Sequence, residues 1–253
     1  MEPKGKVAVI SGGASGIGLA TAQLLASHGA RLVLVDLQQE LGEQVAAELQ
    51  AQGVDAAFLQ ADVTKRGDVQ EMLDFAVRRM GRVDICFNNA GISEAGEDFL
   101  APESRRWERT LEVNLKGVLL ATQLEVELLR KQGGGGVIVN TASMGGLVPM
   151  PNSPIYAASK AGVIHFSRSL AYLADEGIRV NAICPSYTDT PLVRSQGEEA
   201  VRRVSAEVGG ILHPEQIAEG VLELVRDESR AGAVMRVTVA RGIDYAFERQ
   251  RGG

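Results

Sequence analysis

Tyr156 and Lys160, with Ser143 thirteen residues upstream, are the residues whose types and spacing best suit chemistry. A tyrosine and a lysine four apart on a helix share one face, where their side chains can meet. A free tyrosine loses its proton near pH 10. A neighbouring ammonium favours the phenolate and lowers that value. The pair can then serve as a general base near neutral pH. With four tyrosines and six lysines in 253 residues, chance supplies about 0.1 such pair. A surface tyrosine beside a surface lysine is the plain alternative, so the pair's weight depends on the rest of the chain.

The elements that must position these residues begin at the N-terminal end. Lys6-Val-Ala-Val-Ile-Ser11 is a short apolar run that reads as a buried strand. Gly12-Gly-Ala-Ser15-Gly16-Ile17-Gly18 follows, then a helical pattern from Leu19. Strand, glycine turn and helix start make a phosphate site, because glycine admits the pyrophosphate and the helix end supplies free N–H groups. The spacing is G-x-x-x-G-x-G rather than G-x-G-x-x-G, and a tight loop is the alternative. Arg31-Leu-Val-Leu-Val-Asp36 is a second apolar strand ending in an acid, 18 residues beyond Gly18. That is close to the spacing of a carboxylate that binds the adenosine ribose. An acid there repels a 2′-phosphate, and Leu37, Ala14 and Ser15 offer it no cation, so NAD is the expected cofactor. Asp36 can also cap the next helix.

Strand-like runs fall at about 6–11, 31–36, 56–61, 83–88, 135–142, 178–184 and 233–239. Helical patterns fall near 17–28, 38–52, 66–80, 103–131, 155–176 and 214–226. This alternation predicts an α/β, Rossmann-type, doubly wound fold. It would have a seven-stranded parallel sheet with helices on both faces and a single domain over residues 1–253. Ligands then sit beyond the carboxyl ends of the strands. Gly12, Asp36, Asp62, Asn89, Ser143 and Pro185 all fall just after predicted strands.

The chain resembles a standard-length, NAD-dependent short-chain dehydrogenase/reductase. The segments that carry the resemblance are Ser11-Gly12-x-x-x-Gly16-Ile-Gly18, Asp62-Val63, Asn88-Asn89-Ala90-Gly91, Asn114, Ser143, Tyr156-x-x-x-Lys160 and Pro185-Ser186, in family order. Arg179-Val-Asn-Ala-Ile-Cys-Pro185, Gly210-Ile-Leu-His-Pro214 and Gly232 to Ile243 narrow it towards 15-hydroxyprostaglandin dehydrogenase-like members. Ser11 stands where threonine is usual, and Ser186 where glycine is usual.

The resemblance implies a role for each matched residue. Asp62 and Val63 contact the adenine, although Asp62 reads equally as a helix cap. Asn89 lines the adenosine ribose, although Asn88-Asn89 also reads as a turn. Asn114 holds a water on the proton path. Ser143 positions the reacting oxygen, Tyr156 takes the proton, and Lys160 also binds the nicotinamide ribose. Thr188 and Thr190 lie beside the carboxamide, and the stretch at about 187–212 forms a mobile lid. Val193, Val201, Val204 and Val208 could line that lid or simply pack.

Leu147, Met150, Ser153, Tyr187 and Leu192 are candidate substrate-lining residues, and they point to a secondary alcohol or ketone with an apolar body. Arg194, Arg202 and Arg203 could meet a substrate carboxylate but read more naturally as solvated charges. Ser153 stands where prostaglandin-oxidising relatives carry glutamine, which argues against that substrate. A 3-oxoacyl-type reductase and a non-catalytic nucleotide sensor are the alternatives.

Charge and composition set the remaining expectations. The net charge of −6, without a long basic run, speaks against nucleic-acid binding. His28, His165 and His213 lack metal-ligand spacing, so no metal is expected. Cys86 and Cys184 sit in apolar runs as free buried thiols, consistent with a reducing, cytoplasmic setting. No apolar stretch approaches about 20 residues, so neither a membrane span nor a signal peptide is expected. The run 248–253 reads as solvated. By resemblance, the two long helices pair across a two-fold axis in a homodimer or homotetramer, with Ala157, Ala158, Ala161, Gly162 and Ala171 allowing close approach.

Overall fold

Apolar runs become strands here because each has packed layers above and below it. The computed structural model describes residues 1–93, 99–101 and 106–247. β1 spans Val7–Ser11, β2 Arg31–Asp36, β3 Ala56–Gln60 and β4 Ile85–Asn88. β5 spans Gly136–Thr141, β6 Ile178–Pro185 and β7 Val234–Thr238. All seven agree with the predicted runs to within two residues.

The helices are α1 Gly16–Ser27, α2 Gln39–Ala51, α3 Arg66–Met80, α4 Arg106–Leu111, α5 Val118–Gln132 and α6 Pro154–Ser169, followed by α7 Pro191–Arg194, α8 Glu198–Val208 and α9 Pro214–Arg226. Alternate strand residues feed two cores. Ile10, Leu34 and Phe87 pack with Leu25 of α1 and Val221 and Leu224 of α9. Val9, Val33, Cys86 and Ile138 pack with Leu73 of α3 and Leu129 of α5.

The strand order is β3-β2-β1-β4-β5-β6-β7, with an eighth strand, β8 (Gly242–Ala246), beyond β7. β1 therefore lies between β2 and β4, where the winding reverses and a crevice opens. Register brings the strand ends level, with Ser11 opposite Val35 and Asn88, and Asn88 opposite Asn140.

The sheet has eight strands rather than seven. β8, Gly242–Ala246, runs antiparallel to β7. Arg236 faces Asp244 across the pair and binds it through two bonds of 2.8 and 2.6 Å. The Tyr245 hydroxyl donates to Glu223 Oε1 at 2.6 Å. These contacts form only when the chain turns back on itself, so the run after β7 carried no strand signal of its own.

Two helical expectations change, and one further stretch is helical. Residues 103–105 lie outside the described residues, and the helix that follows is interrupted by a π turn at Glu112–Gly117. The helix expected over 155–176 ends at Ser169 and continues as a 3₁₀ turn, Ala171–Glu176. The stretch 187–212 contains α7 and α8. The run 248–253 lies outside the described residues. Among the described residues, no helix is long and apolar enough to cross a membrane.

Candidate active site

One cleft of about 1740 Å³ opens at the carboxyl ends of the strands. Sites for a single small ligand usually measure about 300–1,000 Å³, so this space suits a dinucleotide and a second molecule together. The glycine turn forms its floor. Gly12 has φ +64°, and a Cβ there would come 2.9 Å from Asn89 Nδ2. A Cβ on Gly18 would overlap the Gly12 carbonyl, so Gly18 packs beneath the turn rather than lining the cleft. Ser11 Oγ accepts from the N–H groups of Asn89 (3.1 Å) and Ala90 (3.2 Å). Asn89 Nδ2 donates to the carbonyls of Ser11 and Gly12, each at 3.3 Å. The turn is thus tied to the end of β4. Ser15 caps α1 without a side-chain bond and Ile17 lies in its first turn, so the helix N-terminus faces the cleft without a carboxylate of its own.

The two acids after β2 and β3 close one end. Asp36 Oδ2 accepts from Ala14 N–H at 3.2 Å, and Oδ1 accepts from Gln38 N–H at 3.1 Å. Leu37 beside it is exposed at the cleft rim. Asp62 Oδ1 accepts from Thr64 N–H (3.0 Å) and Thr64 Oγ1 (2.8 Å). Arg109, from α4, reaches Asp62 Oδ2 at 3.2 Å and Thr64 Oγ1 at 3.1 Å. Burial raises the Asp62 pKa, but Thr64 and Arg109 outweigh it and leave the carboxyl below its ordinary range. Val63 completes this wall. Asp62 is therefore a cap for the turn before α3 and a cleft residue at once.

At the other end, Tyr156, Lys160 and Ser143 share the cleft. Lys160 Nζ donates to the Thr141 carbonyl at 2.7 Å and lies 5.7 Å from the Tyr156 ring centroid. Burial lowers its pKa to about 8. Burial also pushes the Cys184 thiol up to about 12, so it stays neutral and supplies no counter-charge near pH 7. Ser143 Oγ accepts from Gly145 N–H at 3.0 Å and keeps its own proton to donate.

Asn114 is fully buried in the π turn and does not line the cleft. Its Nδ2 donates to the Ile92 carbonyl at 2.8 Å, and its Oδ1 accepts from Ile92 N–H at 2.9 Å. The amide is thus engaged with the Ile92 backbone and ties it to the π turn. π turns inside helices mark functional sites and place the backbone carbonyls differently. Gly91 packs against this pair: a Cβ there would lie 3.3 Å from Asn114 Oδ1 and 3.6 Å from Lys160 Nζ.

The segment after β6 crosses back over the turn. A Cβ on Gly16 would touch Thr190 Cγ2 at 3.2 Å. Thr190 Oγ1 accepts from Val193 N–H at 3.3 Å and caps α7. Thr188 Oγ1 donates to the Ser186 carbonyl at 2.8 Å. Pro185, Tyr187, Thr188, Thr190 and Leu192 all face the cleft, as do Met150 and Ser153. Leu147 does not. It follows the 3₁₀ turn Met144–Gly146 and packs, partly buried, against the cluster of Val163 and Ile164, while Met144 and Val148 line the wall. Val193, Val204 and Val208 line the cleft, whereas Val201 packs away from it.

The sequence from residue 6 to 201 matches the family model described as short chain dehydrogenase. The chain belongs to that family. Its relatives include the mouse 15-hydroxyprostaglandin dehydrogenase [NAD(+)], 37% identical over 97% of this chain and 94% of the relative. A cis-4-hydroxycyclohexanecarboxylate dehydrogenase from Sinomonas cyclohexanicum is 38% identical over 92% of this chain and 94% of that protein. Among solved structures, a 3-ketoacyl-(acyl-carrier-protein) reductase from Brucella melitensis, complexed with NADH, superposes with a TM-score of 0.86. It is 33% identical, covering 94% of this chain and 99% of that one. Levodione reductase superposes with a TM-score of 0.85 at 32% identity, covering 94% and 98%.

As a short-chain dehydrogenase, the protein is an oxidoreductase, and its cleft fits a dinucleotide on its own chemistry. The glycine cradle leaves room for a pyrophosphate, the α1 N-terminus would face it, and the Asp36 carboxylate could accept from a ribose hydroxyl. Four contributors escaped the sequence reading as site residues: Ser11, Ile92, Arg109 and Thr141. Ser11 carried a signal, since a hydroxyl there matched the family's usual threonine. The other three act through distant contacts that no local pattern marks.

Proposed function

We propose that this short-chain dehydrogenase moves a hydride between NAD and the carbinol carbon of a secondary alcohol or ketone with an apolar body. One observation carries the reading: a buried lysine beside Tyr156 and Ser143 shares a single cleft with Asp36 and the glycine turn. Bound NAD supplies the hydride acceptor. Ser143 positions the substrate oxygen with the hydroxyl proton it keeps. Tyr156 takes the alcohol proton, helped by the charge on Lys160. Lys160 has three donors and gives one to Thr141, so two are available to the nicotinamide ribose. Asn114 positions the Gly91–Ile92 backbone beside Lys160, and a relay water would meet main-chain atoms at the π turn. Ketone reduction follows the same path reversed, with Tyr156 as the acid.

Residues 1–253 act as one catalytic unit, and α7 and α8, within about 187–212, cover the substrate. Met144, Val148, Met150, Val204 and Val208 give that space apolar walls. Buried free Cys86 and Cys184 suit a cytoplasmic protein. Homodimerisation or tetramerisation would use α5 and the exposed side of α6. Gly162 is taken by its own chain, because a Cβ there would lie 2.9 Å from Leu115.

A 3-oxoacyl reductase is the second reading. The NADH in the Brucella relative favours it, because it weakens the argument that Asp36 separates the two classes.

The test is turnover with NAD and with NADP across short, aryl and long-chain secondary alcohols, with Tyr156→Phe as control. Activity with NAD that falls by about 10²–10⁴-fold in the variant, with NADH binding kept, supports the proposal. NADH binding without turnover on any alcohol or ketone would favour a sensor.

A further inference from the structure

Helix α5 turns two polar side chains, Thr122 and Glu125, towards the sheet, and both are buried. Three residues apart, they share one face of the helix. They meet a pair of amides near the ends of β4 and β5, where register sets Asn88 opposite Asn140. Asn88 Nδ2 donates one proton to Glu125 Oε2 and the other to Asn140 Oδ1, each at 2.9 Å. Thr122 Oγ1 donates to the same Asn140 oxygen at 3.4 Å. Asn140 Nδ2 donates to Ser167 Oγ of α6 at 3.1 Å, and Ser167 Oγ donates to the Val163 carbonyl at 2.8 Å. Each of these five side chains is 4% exposed or less.

Stability alone does not call for a carboxyl at this place. The buried Cys86 thiol lies beside it, and among the described residues no cation does. A well-packed apolar side chain in such a site is commonly as stable or more so. What the carboxyl does supply is an acceptor for Asn88. That amide nitrogen has two protons and both are used, so loss of Glu125 would leave a buried donor unpaired. The amide would then turn to find another acceptor, and its bond to Asn140 would go with it.

The two amides sit directly before residues that build the site. Asn89 follows Asn88, and its Nδ2 ties the carbonyls of Ser11 and Gly12 in the glycine turn. Thr141 follows Asn140, lines the cleft, and gives its carbonyl to Lys160 Nζ. We propose that Glu125 is a positioning residue: by accepting from Asn88 it locks the ends of β4 and β5 together, and so fixes the nucleotide turn and the lysine anchor relative to each other. The lysine half of this inference rests on the dehydrogenase reading above; the nucleotide half stands without it.

The experiment compares wild type with three variants. Glu125→Met removes the acceptor at similar length, Glu125→Asp keeps the carboxylate but shortens its reach, and Glu125→Gln keeps an acceptor oxygen at the same reach. NADH affinity is read by nucleotide fluorescence, the pH profile of kcat by turnover with NAD and a secondary alcohol, and the folded state by thermal unfolding. The NADH Kd should rise about tenfold in the Met and Asp variants, as loss of one buried hydrogen bond implies, and stay near wild type in the Gln variant. The limb of kcat on which Tyr156 loses its proton should move to higher pH in the Met and Asp variants, because a displaced ammonium supports the phenolate less. A purely structural role would lower the melting temperature and move neither readout. A folded Met or Asp variant with wild-type affinity or an unmoved limb overturns the proposal. So does a Gln variant as impaired as the Met variant, which would assign the effect to charge and not to the acceptor. If the Met variant does not fold, the Asp variant decides by the same comparison. Absence of turnover with every alcohol would remove the dehydrogenase reading alone, because NADH affinity across the four proteins still decides the role of Glu125.

Discussion

Lys160 Nζ meets the Thr141 carbonyl at 2.7 Å, so the cation beside Tyr156 is anchored by strand β5 and not by any carboxylate. The ammonium is held only by dipoles in a buried site, and burial accordingly lowers its pKa to about 8 from the ordinary 10.5. Between those values the unfolded chain binds more protons than the folded one, so stability rises with pH in that window. The expected gain is about 3 kcal/mol from pH 8 to 10.5. Urea unfolding of Tyr156→Phe and of Tyr156→Phe/Lys160→Met should show the gain in the first protein alone. Equal pH slopes in the two would contradict it.

Glu125 on α5 should act in the opposite direction. It is buried; Oε2 accepts from Asn88 Nδ2 at 2.9 Å, and the buried Cys86 thiol lies beside the carboxyl. Burial raises its pKa from 4.5 to about 7, although Asn88 and the Cys86 thiol pull the other way. The neutral carboxyl's contribution is full below pH 4.5 and is lost as pH rises to 7, about 3 kcal/mol in all. Glu125→Gln removes that titration. Denaturation at pH 5 and pH 8 should show a much smaller fall for the variant, with higher stability than wild type at pH 8.

Ser11→Ala removes the acceptor for two N–H groups, on Asn89 and Ala90, next to the glycine turn. Ser11 is 4% exposed, so water does not replace the lost bonds fully. A loss of roughly 1–3 kcal/mol in stability is expected, together with weaker NADH binding. Ser11→Thr keeps the acceptor and should behave like wild type. Thermal unfolding with and without NADH, compared across the three proteins, checks both statements.

Asp36→Asn keeps the side-chain shape and removes the charge that repels a 2′-phosphate. The preference for NAD over NADP should fall by roughly ten- to hundredfold, as loss of a charged interaction implies. Steady-state kinetics with both nucleotides measure it. An unchanged preference would mean that another group selects the cofactor.

The seven parallel strands, the glycine turn, Asp36 and the Tyr156–Lys160 pair are legible in the sequence. Each is a local signal: an apolar run, a φ-permissive residue, an acid at a strand end, or a helical spacing. The rest depends on contacts that join residues far apart in the chain. β8 needed Arg236 to meet Asp244 across a hairpin. Leu147 reads as substrate-lining, and only the fold packs it against Val163 and Ile164 outside the cleft. The bonds between the Asn114 amide and Ile92 span 22 residues and have no local signal. Arg109 became part of the site only when α4 was laid beside the end of β3. Arg194, Arg202 and Arg203 are alike in the sequence, and only the packing of α7 and α8 sets Arg194 against Asp189, Arg202 near Glu198 and Arg203 at the cleft. Local patterns report which conformation a segment prefers, but partner choice depends on which distant groups the fold brings within hydrogen-bond reach.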